Sequence, residues 1–402
     1  MERTGNTAMP DGSNAGQALP RSVLDQDALS AFVQNEAPEL WLDEPHRSLA
    51  RSGRGATTNP AVRYDRVTTE AFEDGWTPVG AELTDLPPLP TVLTRDSSKT
   101  AISWNGSPDI GFDRAVNPYR GCEHGCVYCY ARPSHAYLGY SPGLEFETQI
   151  VFKPDVASLL ERELSKPGYV ARPMALGSNT DPYQPVDRTL RLTRAVLEVL
   201  DRFSHPVSIV TKSAGVLRDL DILQRMAARG LVRVWLSVTT LDSGLARRME
   251  PRAASPSRRL QTIAALTLAG VPAGVLAAPM IPGLNDMELE NILTAARRHG
   301  ATHAGYVLLR LPLELKDVFT SWLQEHVPER ARRVLALVRA TRGGELNDSR
   351  FHHRFSGGGP YADLLAQRFH HMQSKLGFLG RESLDTTQFS RPPTSGDQLS
   401  LL

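Results

Sequence analysis

Apolar segments alternate with amphipathic segments through the middle of this chain, and this order restricts its fold more than any other feature. Between residues 171 and 311, predicted strands and helices follow one another at a spacing of about 30 residues. The predicted strands cover 171–178, 206–213, 231–240, 271–283 and 301–311. Predicted helices lie between them at 188–203, 216–230, 257–270 and 286–300. Strands that alternate with helices in this way indicate parallel β/α units.

A further strand near 109–117 gives about six such units, which is too few for a complete eight-unit barrel. We therefore predict an α/β fold whose core is a partial (β/α)6 barrel over 109–312. Polar composition predicts a mostly disordered tail over 1–60 and a flexible tail over 381–402. Between these parts we predict an N-terminal extension over 61–108, with a Pro-rich connector at 83–93, and a helical C-terminal extension over 313–380.

Overall charge and hydropathy exclude two classes of protein. The 402 residues include 45 Lys and Arg against 44 Asp and Glu, a net charge of +1, which argues against polyanion binding through bulk charge. No apolar run reaches the about 20 residues that span a bilayer, and the first 22 residues lack the apolar core of a signal peptide. We expect a cytoplasmic protein that makes no membrane contact.

All three cysteines of the chain lie in one short segment, NPYRGCEHGCVYCYAR, with the spacing Cys-x3-Cys-x2-Cys. An odd number of cysteines in one loop is not a disulfide framework and is typical of a metal or redox centre. Ordinary four-iron clusters take four cysteine ligands. Cys122, Cys126 and Cys129 would bind three irons and leave the fourth open, as metal-centred chemistry requires.

The pattern Cys-x3-Cys-x-aromatic-Cys, with Tyr128 as the aromatic residue, resembles the signature of the radical S-adenosylmethionine (radical SAM) superfamily. The resemblance implies that the open iron binds the amino and carboxylate groups of S-adenosylmethionine. An electron from a donor such as flavodoxin or ferredoxin would then cleave this cofactor to methionine and a 5′-deoxyadenosyl radical, which abstracts a hydrogen atom from the substrate. It also places Tyr128 beside the cofactors.

A zinc site is the alternative interpretation of the cysteine segment. His124 or His135 would then supply the fourth ligand, and the protein would be a binding module without catalysis. Compact zinc sites usually combine two separated ligand pairs, a pattern this segment lacks.

Polar residues follow the second predicted strand, in GSNTDPYQPVD. Functional residues of parallel β/α folds gather on the loops at the carboxyl ends of strands. Ser178, Asn179 and Asp181 offer short polar groups suited to an ammonium and a carboxylate. The segment resembles the spore photoproduct lyase branch of the superfamily, in which this strand end helps to hold the methionyl part of the cofactor. An Asx-turn beside two prolines would explain the same residues.

Lys212 ends the third predicted strand. Ser237 lies on the fourth, at an alternating position whose side chain is expected to face the barrel interior. The resemblance to photoproduct lyases implies that Ser178, Lys212 and Ser237 contact S-adenosylmethionine. Alternatively, Lys212 is a solvated strand-end residue, and Ser237 is a barrel residue that binds no ligand.

Two later loops supply further candidates. Arg252 follows the fourth strand, where family members place polar side chains near the cofactor, although an ion pair with Glu250 is an alternative. Asn285 lies in IPGLND after the fifth strand, which resembles the loop that packs against the adenine. A helix N-cap at Asn285 or Asp286 is compatible with that role.

The substrate is less constrained than the cofactor. Photoproduct lyase uses a further cysteine just before the second-strand serine, whereas Leu176 lies there in this chain and no fourth cysteine exists. A thymine-dimer lyase with that mechanism is therefore disfavoured, and a tyrosine such as Tyr183 is an alternative hydrogen donor. Residues 212–259 hold ten Lys and Arg against four acids, a net +6, and residues 329–354 hold seven Arg against three acids, a net +4. Such basic stretches can line a nucleic-acid channel, or they can form the ordinary exterior of helices. A peptide or a small molecule is the alternative substrate.

Overall fold

The computed structural model describes residues 51–64, 89–380 and 383–392, and strands and helices are numbered here in chain order within those ranges. The strands are β1 (Val92–Arg95), β2 (Ile102–Trp104), β3 (Arg114–Val116), β4 (Tyr119–Arg120), β5 (Gln149–Phe152), β6 (Met174–Leu176), β7 (Val207–Thr211), β8 (Val232–Ser237), β9 (Ala273–Met280) and β10 (His303–Leu308). The α-helices are α1 (Glu145–Thr148), α2 (Val156–Leu164), α3 (Asp187–Leu190), α4 (Leu192–Arg202), α5 (Leu220–Ala227), α6 (Ser243–Met249), α7 (Pro256–Leu268), α8 (Leu289–Arg298), α9 (Leu315–His326), α10 (Pro328–Ala340) and α11 (Pro360–Lys375). Short 3-10 helices cover Arg132–Leu138, Ala214–Asp219 and Asp286–Glu288.

The larger sheet has the strand order β10-β9-β8-β7-β6-β3-β2. Neighbours from β3 to β10 in this order pair in parallel, and only the edge strand β2 is antiparallel to its neighbour. Six parallel strands followed by helices confirm the predicted partial α/β barrel. Because the strands are parallel, their carboxyl ends and the loops that follow them share one edge of the sheet.

Alternation along the strands separates the helix-covered face from the interior of the barrel. On β8, Val232, Val234 and Leu236 belong to the main apolar core. Successive side chains of a strand point to opposite faces, so Trp235 and Ser237 face the barrel interior. Ser237 thus has the orientation that the sequence predicts.

A smaller sheet, which the sequence does not indicate, has the order β1-β5-β4. β1 begins inside the predicted Pro-rich connector 83–93, so the end of that connector is a strand; residues 83–88 lie outside the described residues. β4 and β5 pair antiparallel, and the cysteine segment is part of the connection between them. This sheet therefore places the cysteines next to the carboxyl edge of the barrel.

Glycines end the helices where the sequence predicts. Gly230 and Gly270 follow α5 and α7 with φ of 67° and 76°, a left-handed conformation that glycine adopts without strain. The helix predicted over 216–230 differs at its start, because residues Ala214–Asp219 form a 3-10 helix before α5 begins.

Helices α9, α10 and α11 occupy the predicted C-terminal extension. α11 covers the outer side of β10, where Phe369 packs against Tyr306 with ring centroids 4.7 Å apart. Phe319 and Trp322 of α9 belong to the same apolar cluster as Tyr128 of the cysteine segment. This part of the extension therefore supports the cysteine segment instead of closing the barrel floor.

Parts of both predicted tails pack against the folded core, which differs from the prediction. Ala56 and Thr57 are fully buried, so 51–60 is not a loose extension. Phe389 lies against the rings of Tyr169 and Phe203, so the described residues 383–392 are held as well. Only a few residues of each tail are buried, and most of their neighbours in the sequence are polar. The average composition of the tails therefore did not reveal this packing. The tails over 1–50 and 393–402 lie outside the described residues.

Within the described ranges, no helix is long and apolar enough to cross a membrane.

Candidate metal and cofactor site

The cysteine segment brings three free thiols together at the edge of the barrel. Cys122 and Cys126 are buried, and Cys129 is partly exposed. The Val127 N–H donates to the carbonyl oxygen of Met249 (3.0 Å), which ties the segment to the end of α6 behind β8. The thiols therefore lie where the strand-end loops converge.

A buried ion pair between Arg132 and Glu147 holds the cysteine segment in shape. The two side chains approach to 2.5 Å and neither has any solvent exposure. Arg132 Nε donates to the carbonyl oxygen of Cys126 (2.9 Å), and its Nη2 donates to that of Gly125 (3.1 Å). The guanidinium thus fixes the backbone between the first and second cysteines.

The segment 54–56 crosses the cysteine segment on its outer side. The N–H groups of Gly55 and Ala56 donate to the two carboxylate oxygens of Glu147, at 2.9 and 2.8 Å. A Cβ on Gly55 would lie 1.9 Å from the carbonyl oxygen of Gly125, so only glycine permits this backbone approach. This crossing of the N-terminal segment closes the site from one side.

Burial disfavours the thiolate form of two of the three cysteines. Burial raises the pKa of Cys122 well above its usual value, and the charges of Asp181 and Cys126 raise it further. Burial also raises the pKa of Cys126, although the Lys212 charge opposes the shift. Thiolates in such surroundings require a strongly positive ligand, which iron supplies.

The zinc interpretation has little structural support. Within the described residues, no three His, Cys, Asp or Glu side chains converge on one metal ion, whereas each cysteine of a four-iron cluster binds a different iron. His124 Nδ1 lies 3.3 Å from Asp181 Oδ2. His135 packs between Tyr140 and Phe146, where burial lowers its pKa to about 4. Among the described residues, neither histidine joins the cysteines in a group of zinc ligands.

The loop after β6 is fixed by a residue that follows β3. Asn117 Nδ2 donates to Ser178 Oγ (3.3 Å), and the Asn179 N–H donates to Asn117 Oδ1 (3.1 Å). The hydroxyl of Tyr130 donates to the carbonyl oxygen of Ser178. Ser178 and Asn179 thus lie beside the cysteine segment, as the sequence predicts.

The Asp181 carboxylate stabilises this loop through hydrogen bonds within the protein, so it is not a free ligand for the cofactor. Its carboxylate accepts from Thr211 Oγ1 (2.7 Å), from the Lys212 N–H (2.7 Å) and from the Tyr183 N–H (2.9 Å). Burial alone would raise its pKa, but the His124 charge and these hydrogen bonds lower it to about 2. Asp181 therefore joins the ends of β6 and β7 through these hydrogen bonds.

Lys212 presents an unpaired ammonium at the mouth of the barrel. Its Nζ lies 5.7 Å from the centroid of the Tyr128 ring, close enough to Cys126 to act on that thiol's pKa. Within the described part of the chain, Nζ has no hydrogen-bond or carboxylate partner. A half-buried cation without a counter-ion is a site for an anionic ligand.

Tyr128 and Glu250 belong to a buried network behind the second cysteine. The hydroxyl of Tyr128 donates to Glu250, whose other oxygen pairs with Arg259. Thr239 Oγ1 donates to Glu250 Oε1 (2.7 Å) and lies 3.0 Å from the Tyr128 hydroxyl. Tyr128 therefore anchors the cysteine segment to the end of β8, and only its ring remains for a ligand.

The suggested ion pair between Glu250 and Arg252 is wrong, because each residue has another partner. Arg252 pairs with Glu123 (3.1 Å), which lies between the first two cysteines in the chain. The N–H of Arg252 also donates to the His124 carbonyl oxygen (3.3 Å). Arg252 is thus at the cysteine segment, with its charge already matched.

Asn285 is also a structural brace. Its side chain accepts from the Ile281 N–H (2.6 Å) and donates to the carbonyl oxygens of Thr239 (2.7 Å) and Pro279 (3.0 Å). It occupies an N-cap position, but its side chain makes no capping hydrogen bond. The loop after β9 is therefore pinned to the end of β8, and Asn285 has no polar atom free for an adenine.

Four residues that organise the site escaped the sequence interpretation. Asn117, Glu123 and Arg132 lie inside the cysteine motif, where proximity to the cysteines is the only signal. Glu147 follows the motif, 15 residues after Arg132, and no pattern in the chain marks it.

Comparisons with known sequences agree with this geometry. The sequence profile of the radical SAM superfamily matches residues 116–296, from the end of β3 into α8. An uncharacterized protein of Mycobacterium tuberculosis is 37% identical over 232 residues, covering 57% of this chain and 68% of that protein. An uncharacterized protein of Methanocaldococcus jannaschii is 28% identical over 178 residues, covering 44% of this chain and 64% of that protein.

Among solved structures, the fold resembles spore photoproduct lyase complexed with dinucleoside spore photoproduct. The TM-score is 0.53 at 16% sequence identity, and the match covers 71% of this chain and 80% of that chain. A likeness at this level of identity shows a common barrel fold.

Proposed function

This chain belongs to the radical SAM superfamily, and from that membership we propose that Cys122, Cys126 and Cys129 hold its [4Fe–4S] cluster. The proposal rests above all on three free thiols that meet at the barrel mouth beside the unpaired Lys212. When bound, the cluster and S-adenosylmethionine supply a 5′-deoxyadenosyl radical for hydrogen abstraction. The protein is accordingly a radical-based enzyme.

The residues of the chain bind, orient and shield these cofactors. Arg132 and Glu147 hold the cysteine segment, and the segment 54–56 covers it. We assign Lys212 to the carboxylate of S-adenosylmethionine, because its ammonium pairs with no carboxylate among the residues that the structure describes. Ser178 lies at the β6 end beside the cysteine segment and is assigned to the amino group, while Ser237, inside the barrel, is assigned to the adenosyl part.

We propose a nucleic acid as the substrate. The stretch 212–259 gives limited support, because Arg218, Arg229 and Arg252 pair with acids outside it. Exposed arginines remain both in this stretch, at Arg247, Arg248 and Arg258, and in the stretch 329–354, at Arg332 and Arg333. Both stretches therefore keep basic side chains at the surface.

Tyr183 is poorly placed to donate a hydrogen atom to the substrate radical. Its hydroxyl is buried, and burial together with the Asp219 charge raises its pKa far above the usual value. Its ring lies under the Arg218 guanidinium, 5.6 Å from the ring centroid. This position is outside the barrel interior, where a substrate would react.

We further propose a cytoplasmic protein that takes its electron from flavodoxin or ferredoxin. A reducing compartment keeps three clustered thiols from forming disulfides.

Anaerobic reconstitution with iron and sulfide is the test of the proposed function. We expect the reduced protein to cleave S-adenosylmethionine to 5′-deoxyadenosine, measured by liquid chromatography, with about four irons per chain. Zinc in place of iron, or no 5′-deoxyadenosine from a fully loaded protein, would exclude this function.

The Lys212→Gln substitution tests the cofactor assignment. Loss of one charge-assisted contact of about 1.5–3 kcal/mol should weaken S-adenosylmethionine binding by roughly ten- to a hundredfold. Equilibrium dialysis with the cluster-loaded protein measures this change, and Lys316→Gln, an exposed lysine on α9, is the matched control. Equal affinities of Lys212→Gln and the unsubstituted protein would remove Lys212 from the site.

A further inference from the structure

Arg310 lies just after β10, and its guanidinium contacts two aromatic rings. The guanidinium carbon is 4.6 Å from the centroid of Tyr130 and 5.1 Å from that of Phe355. Tyr130 directly follows Cys129, so Arg310 adjoins the third cysteine. Within the described ranges, no carboxylate or carbonyl accepts a hydrogen bond from Arg310.

The two rings determine what Arg310 can bind. Cation–π contact with the two rings restricts the position of the guanidinium. Its N–H groups form a fork that matches two oxygens of a phosphate or carboxylate. A planar cation fixed in this way and lacking an anion is a preformed oxyanion site.

The stack continues from Arg310 to the surface. Arg354 lies 4.8 Å from the centroid of Phe355 and 5.1 Å from that of Phe351. Arg354 is already paired with Asp109, whereas Phe351 is 51% exposed. We call the five stacked residues the rim strip: Tyr130, Arg310, Phe355, Arg354 and Phe351.

Backbone contacts hold the rim strip rigidly to the barrel. The Leu308 N–H at the end of β10 donates to the Phe355 carbonyl oxygen (2.9 Å). Buried Arg342 donates to the carbonyl oxygens of Leu309 (2.6 Å), His353 (2.9 Å) and Arg354 (3.0 Å). The strip is therefore ordered before any ligand arrives, which reduces the entropy cost of binding.

We propose that the rim strip binds the nucleic-acid substrate, with a phosphate on Arg310 and a base stacked on Phe351. This assignment rests on the proposed function and adds the residues that recognise its substrate. A ligand that spans the strip needs an anion near the cysteines and a flat ring at the surface. Single-stranded nucleic acid repeats both groups along its length. A small cofactor bound inside the barrel would not reach Phe351.

Binding of fluorescein-labelled decathymidylate to the cluster-loaded protein tests the proposal by fluorescence anisotropy. Arg310→Gln should weaken binding by about tenfold or more and reduce the slope of log K against log salt by about 1. Phe351→Ala should weaken binding by roughly five- to a hundredfold and leave that slope unchanged. Lys375→Gln, an exposed lysine at the end of α11 and outside both basic stretches, should change the affinity by less than about twofold.

Three results would overturn the rim strip as the nucleic-acid site. The first is wild-type affinity in both Arg310→Gln and Phe351→Ala. The second is equal competition by a decaglutamate peptide, which would assign a peptide ligand. The third is loss of S-adenosylmethionine binding in Arg310→Gln, which would make Arg310 a cofactor residue. None of these affects 5′-deoxyadenosine formation by the unsubstituted protein, so failure of this inference is distinguishable from failure of the proposed function.

Discussion

A Cys126→Ala variant is expected to keep the barrel fold and to lose both the iron–sulfur absorbance and all cleavage of S-adenosylmethionine. Cys126 packs with Val127 and Tyr128 in the smaller apolar cluster, outside the main core of the barrel. Its removal therefore leaves the barrel strands supported, while only two thiolates remain for the cluster. Iron content, visible absorbance and far-ultraviolet circular dichroism measure the two effects separately.

Tyr137→Phe is the control for the reconstitution of Cys126→Ala, because Tyr137 is exposed within the same connection between β4 and β5. It should load iron to the level of the unsubstituted protein. A Cys126→Ala protein with a complete, catalytically competent cluster would contradict the assignment of the ligands.

A Glu147→Gln variant should unfold more easily by about 3–5 kcal/mol, because it leaves the Arg132 charge buried without a counter-charge. The same change weakens the acceptor for the Gly55 and Ala56 N–H groups, so the segment 54–56 should loosen as well. Urea unfolding gives the change in the free energy of unfolding, and iron content reports the shape of the cysteine segment. We expect the free energy of unfolding and the iron content to fall.

Two further variants show whether the buried pair acts as this argument requires. Arg172→Gln removes an exposed partner of Asp113, 3.2 Å away, and should cost less than about 1 kcal/mol. The double variant Arg132→Met with Glu147→Leu removes both buried charges but leaves the Gly55 and Ala56 N–H groups without their acceptor and the carbonyls of Gly125 and Cys126 without their donor. It should therefore recover neither iron loading nor the full stability of the unsubstituted protein. A stable Glu147→Gln protein that loads iron normally would show that the pair is dispensable.

The repeating part of the fold was predictable because its signals are local. Alternating apolar residues on β7 and β8 and the glycines after α5 and α7 reflect short-range sterics and burial, which each segment shows by itself. The smaller sheet was not predictable, because β1, β4 and β5 have two to four residues each. Segments this short carry no periodicity, and their pairing depends on chain positions far apart.

The candidate site likewise combines residues that the sequence marks with roles that only the tertiary structure shows. Spacing alone marks the three cysteines, and the order of strands and helices places Ser178, Lys212 and Ser237 at strand ends. The sequence did not distinguish a ligand from a brace, since that depends on which partners a side chain meets. Asp181 and Asn285 are polar, strand-end residues like Lys212, yet their polar atoms are used within the protein.

The cysteine spacing, through its resemblance to the radical SAM signature, predicted the cofactor class of this protein. The β/α order by itself determined the partial barrel. Only the tertiary structure decided which cations remain unpaired, since Glu147, Glu250 and Asp109 reach their arginines across 15, 9 and 245 residues of chain. Lys212 and Arg310 stand out for the same reason: long-range folding gives each an aromatic neighbour and, within the described part of the chain, no counter-ion.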